Sequence, residues 1–101
     1  MAKDEASKTY SEFLTNIRVG ISEVAEITNV PIRKLRYWEE KGIINTVDLE
    51  SKSRQFNLAN IKKIILIQEL IEDGYSLDGA AKKVESRIEK IDSLLKLISM
   101  E

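Results

Sequence analysis

The chain has no cysteine and no histidine. That excludes disulfides, thiol chemistry, Cys/His zinc sites and histidine acid–base catalysis together. No apolar run approaches the roughly 18 residues that cross a bilayer. The first residues, MAKDEASK, are polar with no hydrophobic segment behind them, so a secretory signal is not expected. Proline occurs once, at Pro31, and glycine four times. Charge of one sign does not dominate: 16 Lys and Arg balance 17 Asp and Glu, a net charge of -1. A nucleic-acid-binding surface would therefore have to be a local patch. What is present is 101 residues, 43% of them hydrophobic, enough for one small core. The expectation is a soluble, cytoplasmic, non-enzymatic protein with no cofactor and no membrane partner. The acidic pairs Glu39/Glu40 and Glu72/Asp73 are helix neighbours that do not face each other, so they read as solvated rather than catalytic or metal-binding.

Gly20, Gly42 and Gly74 separate the periodic segments. Tyr10, Phe13, Leu14 and Ile17 make one apolar stripe of a short helix, spaced i, i+3, i+4, i+7. Ile21, Val24, Ala25 and Ile27 mark a second helix that stops at Asn29. Asn tolerates the left-handed conformation that ends helices, and Pro31 is pre-shaped for the start of the next. That helix carries Ile32, Leu35 and Trp38 on one side and ends at Gly42. Two short helices joined by a tight turn form a helix-turn-helix. Residues 43–56 lose the period, and Ile43-Ile44 with Gln55-Phe56 predict two short strands around a polar loop, the shape of a wing. Asn57 is a good N-cap for a broadly apolar helix, Leu58 to Ile71, which ends at Gly74. Ser76 caps the last helix. There Leu77, Ala81, Val84, Ile88, Ile91, Leu95 and Ile98 keep an unbroken 3.5-residue repeat, as in a coiled-coil seam. The same stripe could instead fold back on its own domain, and Gly79 permits a kink near its start. Leu94 and Leu97 lie beside the seam and widen it.

On the second helix of the pair, Arg33, Arg36, Tyr37 and Glu40 share the face opposite the apolar one, with Lys34 and Lys41 at its flanks. Arginine forks onto phosphates or base edges, and a tyrosine hydroxyl can donate to a phosphate oxygen. Lys52 and Arg54 would add cations from the wing. Charges on a short amphipathic helix often do no more than solvate it, and Arg36–Glu40 is an ordinary i, i+4 pair. The position of the basic face on the second helix favours DNA, because that is the helix which enters the major groove in this motif.

The stretch VGISEVAEITNVPIRKLRYWEEKGII, followed by SRQF and NLANIKKIILIQELIEDGYSL, resembles the MerR family of bacterial transcription regulators. Glu23, Ala25, Val30, Leu35, Arg36, Tyr37, Glu39, Gly42 and Ile44 fill the family's helix-turn-helix pattern. Arg54 and Phe56 fill its wing, and Gly74, Ser76 and Leu77 its G-h-S-L turn. The likeness covers roughly residues 18–98, and LRYWEEKGII is its most specific part. Asn29 stands where the turn glycine is usual, and Trp38 replaces a second tyrosine. The resemblance implies that Arg33 contacts DNA from the recognition helix and that Arg36 and Tyr37 grip the backbone. It implies that Arg54 is the wing arginine and that the last helix pairs two subunits in an antiparallel coiled coil. It points to the short branch without an effector domain, such as nitrogen regulators that repress glutamine synthetase genes.

The expected fold is mostly α: a winged helix-turn-helix followed by a C-terminal dimerisation helix. Residues 1–17 would be an N-terminal extension, 18–75 the DNA-binding domain and 76–101 the dimerisation helix. The expected function is sequence-specific regulation of transcription by a homodimer on a pseudo-palindromic promoter site. Its partners would be double-stranded DNA, a second copy and, at the promoter, RNA polymerase. Two other readings stay open: an architectural, excisionase-like or chromosome-organising DNA bender, and a coiled-coil partner of another regulator.

Overall fold

The computed structural model describes residues 12, 16–47 and 55–99. In these residues the order is β1 (Val19–Gly20), α1 (Ile21–Thr28), α2 (Ile32–Glu40), β2 (Gln55–Phe56), α3 (Leu58–Glu72) and α4 (Leu77–Ser99). The chain divides within α3 into two compact units, residues 1–64 and 65–101. Tyr10, Phe13 and Leu14 of the N-terminal stripe lie outside the described residues, as do Lys52 and Arg54.

In the first unit, α1 and α2 form the expected helix-turn-helix. Asn29 ends α1 in the left-handed region, at φ 60° and ψ 29°. The Thr28 hydroxyl reinforces the turn: it donates to the Val24 carbonyl at 2.7 Å and accepts from the Val30 N–H at 3.3 Å. Pro31 stands just before α2, and its carbonyl accepts from Lys34 and Leu35. Its ring presets φ, and its missing N–H removes a donor that a helix start would leave unpaired. Val24, Val30, Leu35, Trp38, Ile44, Phe56, Ile61 and Ile64 are buried and make the core of this unit. Each such side chain contributes about 1.5–3 kcal/mol by leaving water.

One expectation fails here. Ile43-Ile44 is not a strand. Gly42, at φ 77°, turns the chain so that its N–H donates to the Glu39 carbonyl and the Ile43 N–H to that of Trp38. These two bonds are the Schellman closure of a helix, and they commit Ile43 to α2. Ile44 then plugs into the core, fully buried. The strand that pairs with Gln55–Phe56 is Val19–Gly20, antiparallel, with Val19 opposite Phe56 and Gly20 opposite Gln55. The root of the wing still closes, because the Val47 N–H donates to the Gln55 carbonyl at 2.8 Å.

In the second unit, the C-terminal half of α3 ends on the same device. Gly74, at φ 104°, donates to Ile71 while Tyr75 donates to Leu70. Ser76 Oγ then accepts from the Gly79 N–H at 3.1 Å and caps α4, as expected. Gly79 introduces no break, since α4 runs unbroken for 23 residues. Ile67, Ala80 and Val84 are buried, and a groove of about 210 Å³ runs beside them between Leu66, Glu69, Leu70 and Asp73 on one side and Lys83, Val84 and Arg87 on the other. No helix among the described residues is long and apolar enough to cross a membrane.

Candidate nucleic-acid interface

A helix with one buried side displays the other. Leu35 and Trp38 are buried and Ile32 half-buried, so Arg33, Lys34, Arg36, Tyr37 and Glu40 come out on the solvent side of α2. Burial of Trp38, at 2% exposure, settles the departure from the tyrosine pattern: this indole belongs to the core and is not available to a ligand. Tyr37 is 51% exposed, and the Lys41 ammonium lies 5.5 Å from its ring centre. That distance is within reach of a cation–π attraction. The ring is therefore flanked by charge on a side chain that is half exposed. The result is a compact cationic and phenolic surface on a chain with no overall positive charge. Such a surface can donate several charge-assisted hydrogen bonds to an anion the size of a phosphate. Whether Lys52 and Arg54 join it lies outside the described residues.

The seven seam positions do not share one environment. Val84 is buried, and Leu77, Ala81 and Ile88 are half-buried. Ile91, Leu95 and Ile98 are exposed, as are Leu94 and Leu97 beside them. The proximal half of the stripe is thus largely covered within the chain, and the distal half leaves an apolar ridge open.

Two features escape a reading by periodicity. The first is the Thr28 hydroxyl that locks the turn. The second is Asn60, which accepts from the Asn45 N–H at 2.9 Å at the root of the wing. An Asn three residues after the Asn57 cap is the signal that points to it.

The MerR HTH family of regulatory proteins matches residues 20–87. The chain belongs to the MerR family. Among curated relatives it is similar to the HTH-type transcriptional regulator GlnR of Bacillus anthracis and that of Bacillus cereus, each 26% identical over 61 residues. That match takes in 60% of this chain and 46% of the relative, so it spans about half the length of those proteins. Among solved structures, a MerR-family transcriptional regulator from Bacillus cereus aligns with a TM-score of 0.60 at 19% identity, covering 83% of this chain and 74% of the other. HiNmlR, a MerR family regulator lacking the sensor domain, crystallised bound to promoter DNA, aligns at 0.62 and 23% identity over 82% of this chain and 66% of its own. The two alignments show that the fold is that of MerR-family regulators.

Proposed function

We propose that this MerR-family chain binds double-stranded DNA sequence-specifically as a homodimer and regulates transcription from a pseudo-palindromic promoter site. The observation that carries the reading is the outward, undivided face of Arg33, Lys34, Arg36 and Tyr37 on α2, held there by the burial of Leu35 and Trp38. Arg33 and Lys34 reach base edges in the major groove, while Arg36 and Tyr37, with Lys52 and Arg54 from the wing, hold phosphates. Residues 18–75 do the binding. Residues 76–101 pair two copies through the exposed ridge Ile91, Leu95 and Ile98, widened by Leu94 and Leu97, which continues the Leu77, Ala81, Val84 and Ile88 repeat. An apolar ridge of this kind is stable in water only when a partner covers it. Two copies then offer one recognition helix to each half of the site, in the cytoplasm, next to RNA polymerase. Support comes also from HiNmlR, of like fold, which was crystallised on promoter DNA.

Selection of bound duplexes from a random pool tests the reading, with sedimentation of the same protein. The expected result is an inverted-repeat consensus and a dimer. A pool that stays unenriched while the protein still binds would favour the architectural reading. No binding at low salt by a folded chain would end both and leave the interaction module.

A further inference from the structure

The Thr28 hydroxyl stands at the end of α1 with one bond to each side of the turn. Its donation to the Val24 carbonyl at 2.7 Å is ordinary for a threonine in a last helical turn and needs no function. Its second bond is different. The Val30 N–H donates to the same oxygen at 3.3 Å, across Asn29, where the backbone has already turned left-handed. Val30 is fully buried, so its N–H is out of reach of solvent and must be paired within the protein. The next residue, Pro31, has no N–H, and α2 begins with no side-chain cap. The entry of the chain into α2 is therefore held by the Pro31 ring, by Val30 in the core and by the Thr28 oxygen. Arg33 and Lys34, the second and third residues of α2, come directly after that joint.

We propose that Thr28 is a positioning residue for DNA recognition: its hydroxyl, bonded to Val24 on α1 and to Val30 at the entry of α2, fixes the pose in which Arg33 and Lys34 meet base edges. The inference rests on the DNA-binding reading above. Thr28 makes no contact with DNA and acts only through the set of α2. Hydrogen bonds to base edges demand direction and register, whereas charges on phosphates tolerate displacement. Loss of the hydroxyl therefore lowers discrimination between duplexes more than it lowers affinity for duplexes in general.

Thr28→Val keeps the shape of the side chain and removes both bonds, while Thr28→Ser keeps both. Anisotropy titrations of the full chain, at a temperature where circular dichroism shows each variant folded, compare the duplex selected by the wild type with a scrambled one. Thr28→Val is expected to lose about three- to tenfold on the selected duplex, the scale of one hydrogen bond, and almost nothing on the scrambled one. Thr28→Ser should match the wild type on both. Arg33→Ala should cost less in the Thr28→Val background than in the wild type, because the arginine there is already out of register. Amide exchange gives a readout without DNA: Val30 should lose protection in Thr28→Val and keep it in Thr28→Ser. Unchanged discrimination in Thr28→Val, an equal loss on the two duplexes, full additivity with Arg33→Ala, or unchanged exchange at Val30 would overturn the proposal. If Thr28→Val does not fold, Thr28→Ala, whose smaller side chain lets a water reach both backbone groups, is held to the same outcomes. A wild-type chain that binds no duplex would sink the DNA-binding reading itself, whereas a wild type and a Thr28→Val variant that discriminate equally would sink only the positioning role.

Discussion

Lys41 places its ammonium 5.5 Å from the ring centre of Tyr37, one helical turn away. The contact uses the face of the ring and leaves the hydroxyl at its edge. The two functions of the side chain can therefore be separated. Tyr37→Phe keeps the ring and the neighbouring cation but removes the donor. It should weaken binding to every duplex by about 0.5–1.5 kcal/mol, the net worth of one hydrogen bond. Fluorescence anisotropy on selected and scrambled duplexes at one salt concentration reads this. The thermal midpoint should stay put, since the Tyr37 side chain is half exposed. A loss confined to the selected duplex would mean that Tyr37 reads bases.

Arg33 and Arg36 lie three residues apart on the same exposed face of α2, yet their variants should behave differently. Arg36→Ala should weaken all sequences alike and flatten the dependence of log affinity on log salt by about one unit, as for one lost phosphate contact. Arg33→Ala should also relax the preferred sequence, at about 1–3 kcal/mol for the position it reads. Titrations between low and moderate salt, followed by repeat selection with each variant, compare the two. Equal affinity and an unchanged consensus for both would show that the recognition face is misassigned.

The turn between α1 and α2 makes a stability prediction of its own. Asn29 sits at φ 60°, a conformation that asparagine tolerates and a β-branched residue does not. Asn29→Val should destabilise the chain by about 1–2 kcal/mol, while Asn29→Gly should be neutral or mildly stabilising. Thermal melts of the two variants give the difference. Asn29→Gly should bind DNA like the wild type, because the backbone path into α2 is unchanged.

Much of this was legible in residue order, for reasons that also explain the rest. Asn29-Val30-Pro31 spells out a helix end and a helix start through backbone chemistry alone, and the structure has both. The sidedness of α2 follows from the 3.6-residue period, which puts Leu35 and Trp38 in and Arg33 and Arg36 out. Ile43-Ile44 misleads because β-branched pairs favour strands only where no stronger local demand competes. Gly42 supplies that demand by closing α2 through Ile43. Val19–Gly20 is invisible as a strand because two residues carry no period; its pairing with Gln55–Phe56 is a long-range match. The seam of α4 shows the remaining limit. A repeat tells which residues line up, not what covers them, and Val84 is buried within the chain while Ile98 is not.

That difference along α4 yields the last prediction. Leu95 and Ile98 are 55% and 60% exposed, whereas Val84 is 1% exposed. A charge at an exposed position costs the single subunit little, because the side chain is already in water. It costs an apolar interface much more, because the charge would be buried without a partner. Leu95→Asp and Ile98→Asp should therefore give a folded monomer by sedimentation, with the helical signal largely retained, and weaker binding to a two-fold site. Binding to a single half-site should change little. Val84→Ala acts on the interior instead and should cost about 2 kcal/mol of subunit stability through lost contacts and the void left behind. Should Leu95→Asp and Ile98→Asp leave the oligomeric state untouched, the exposed ridge is not where two copies meet.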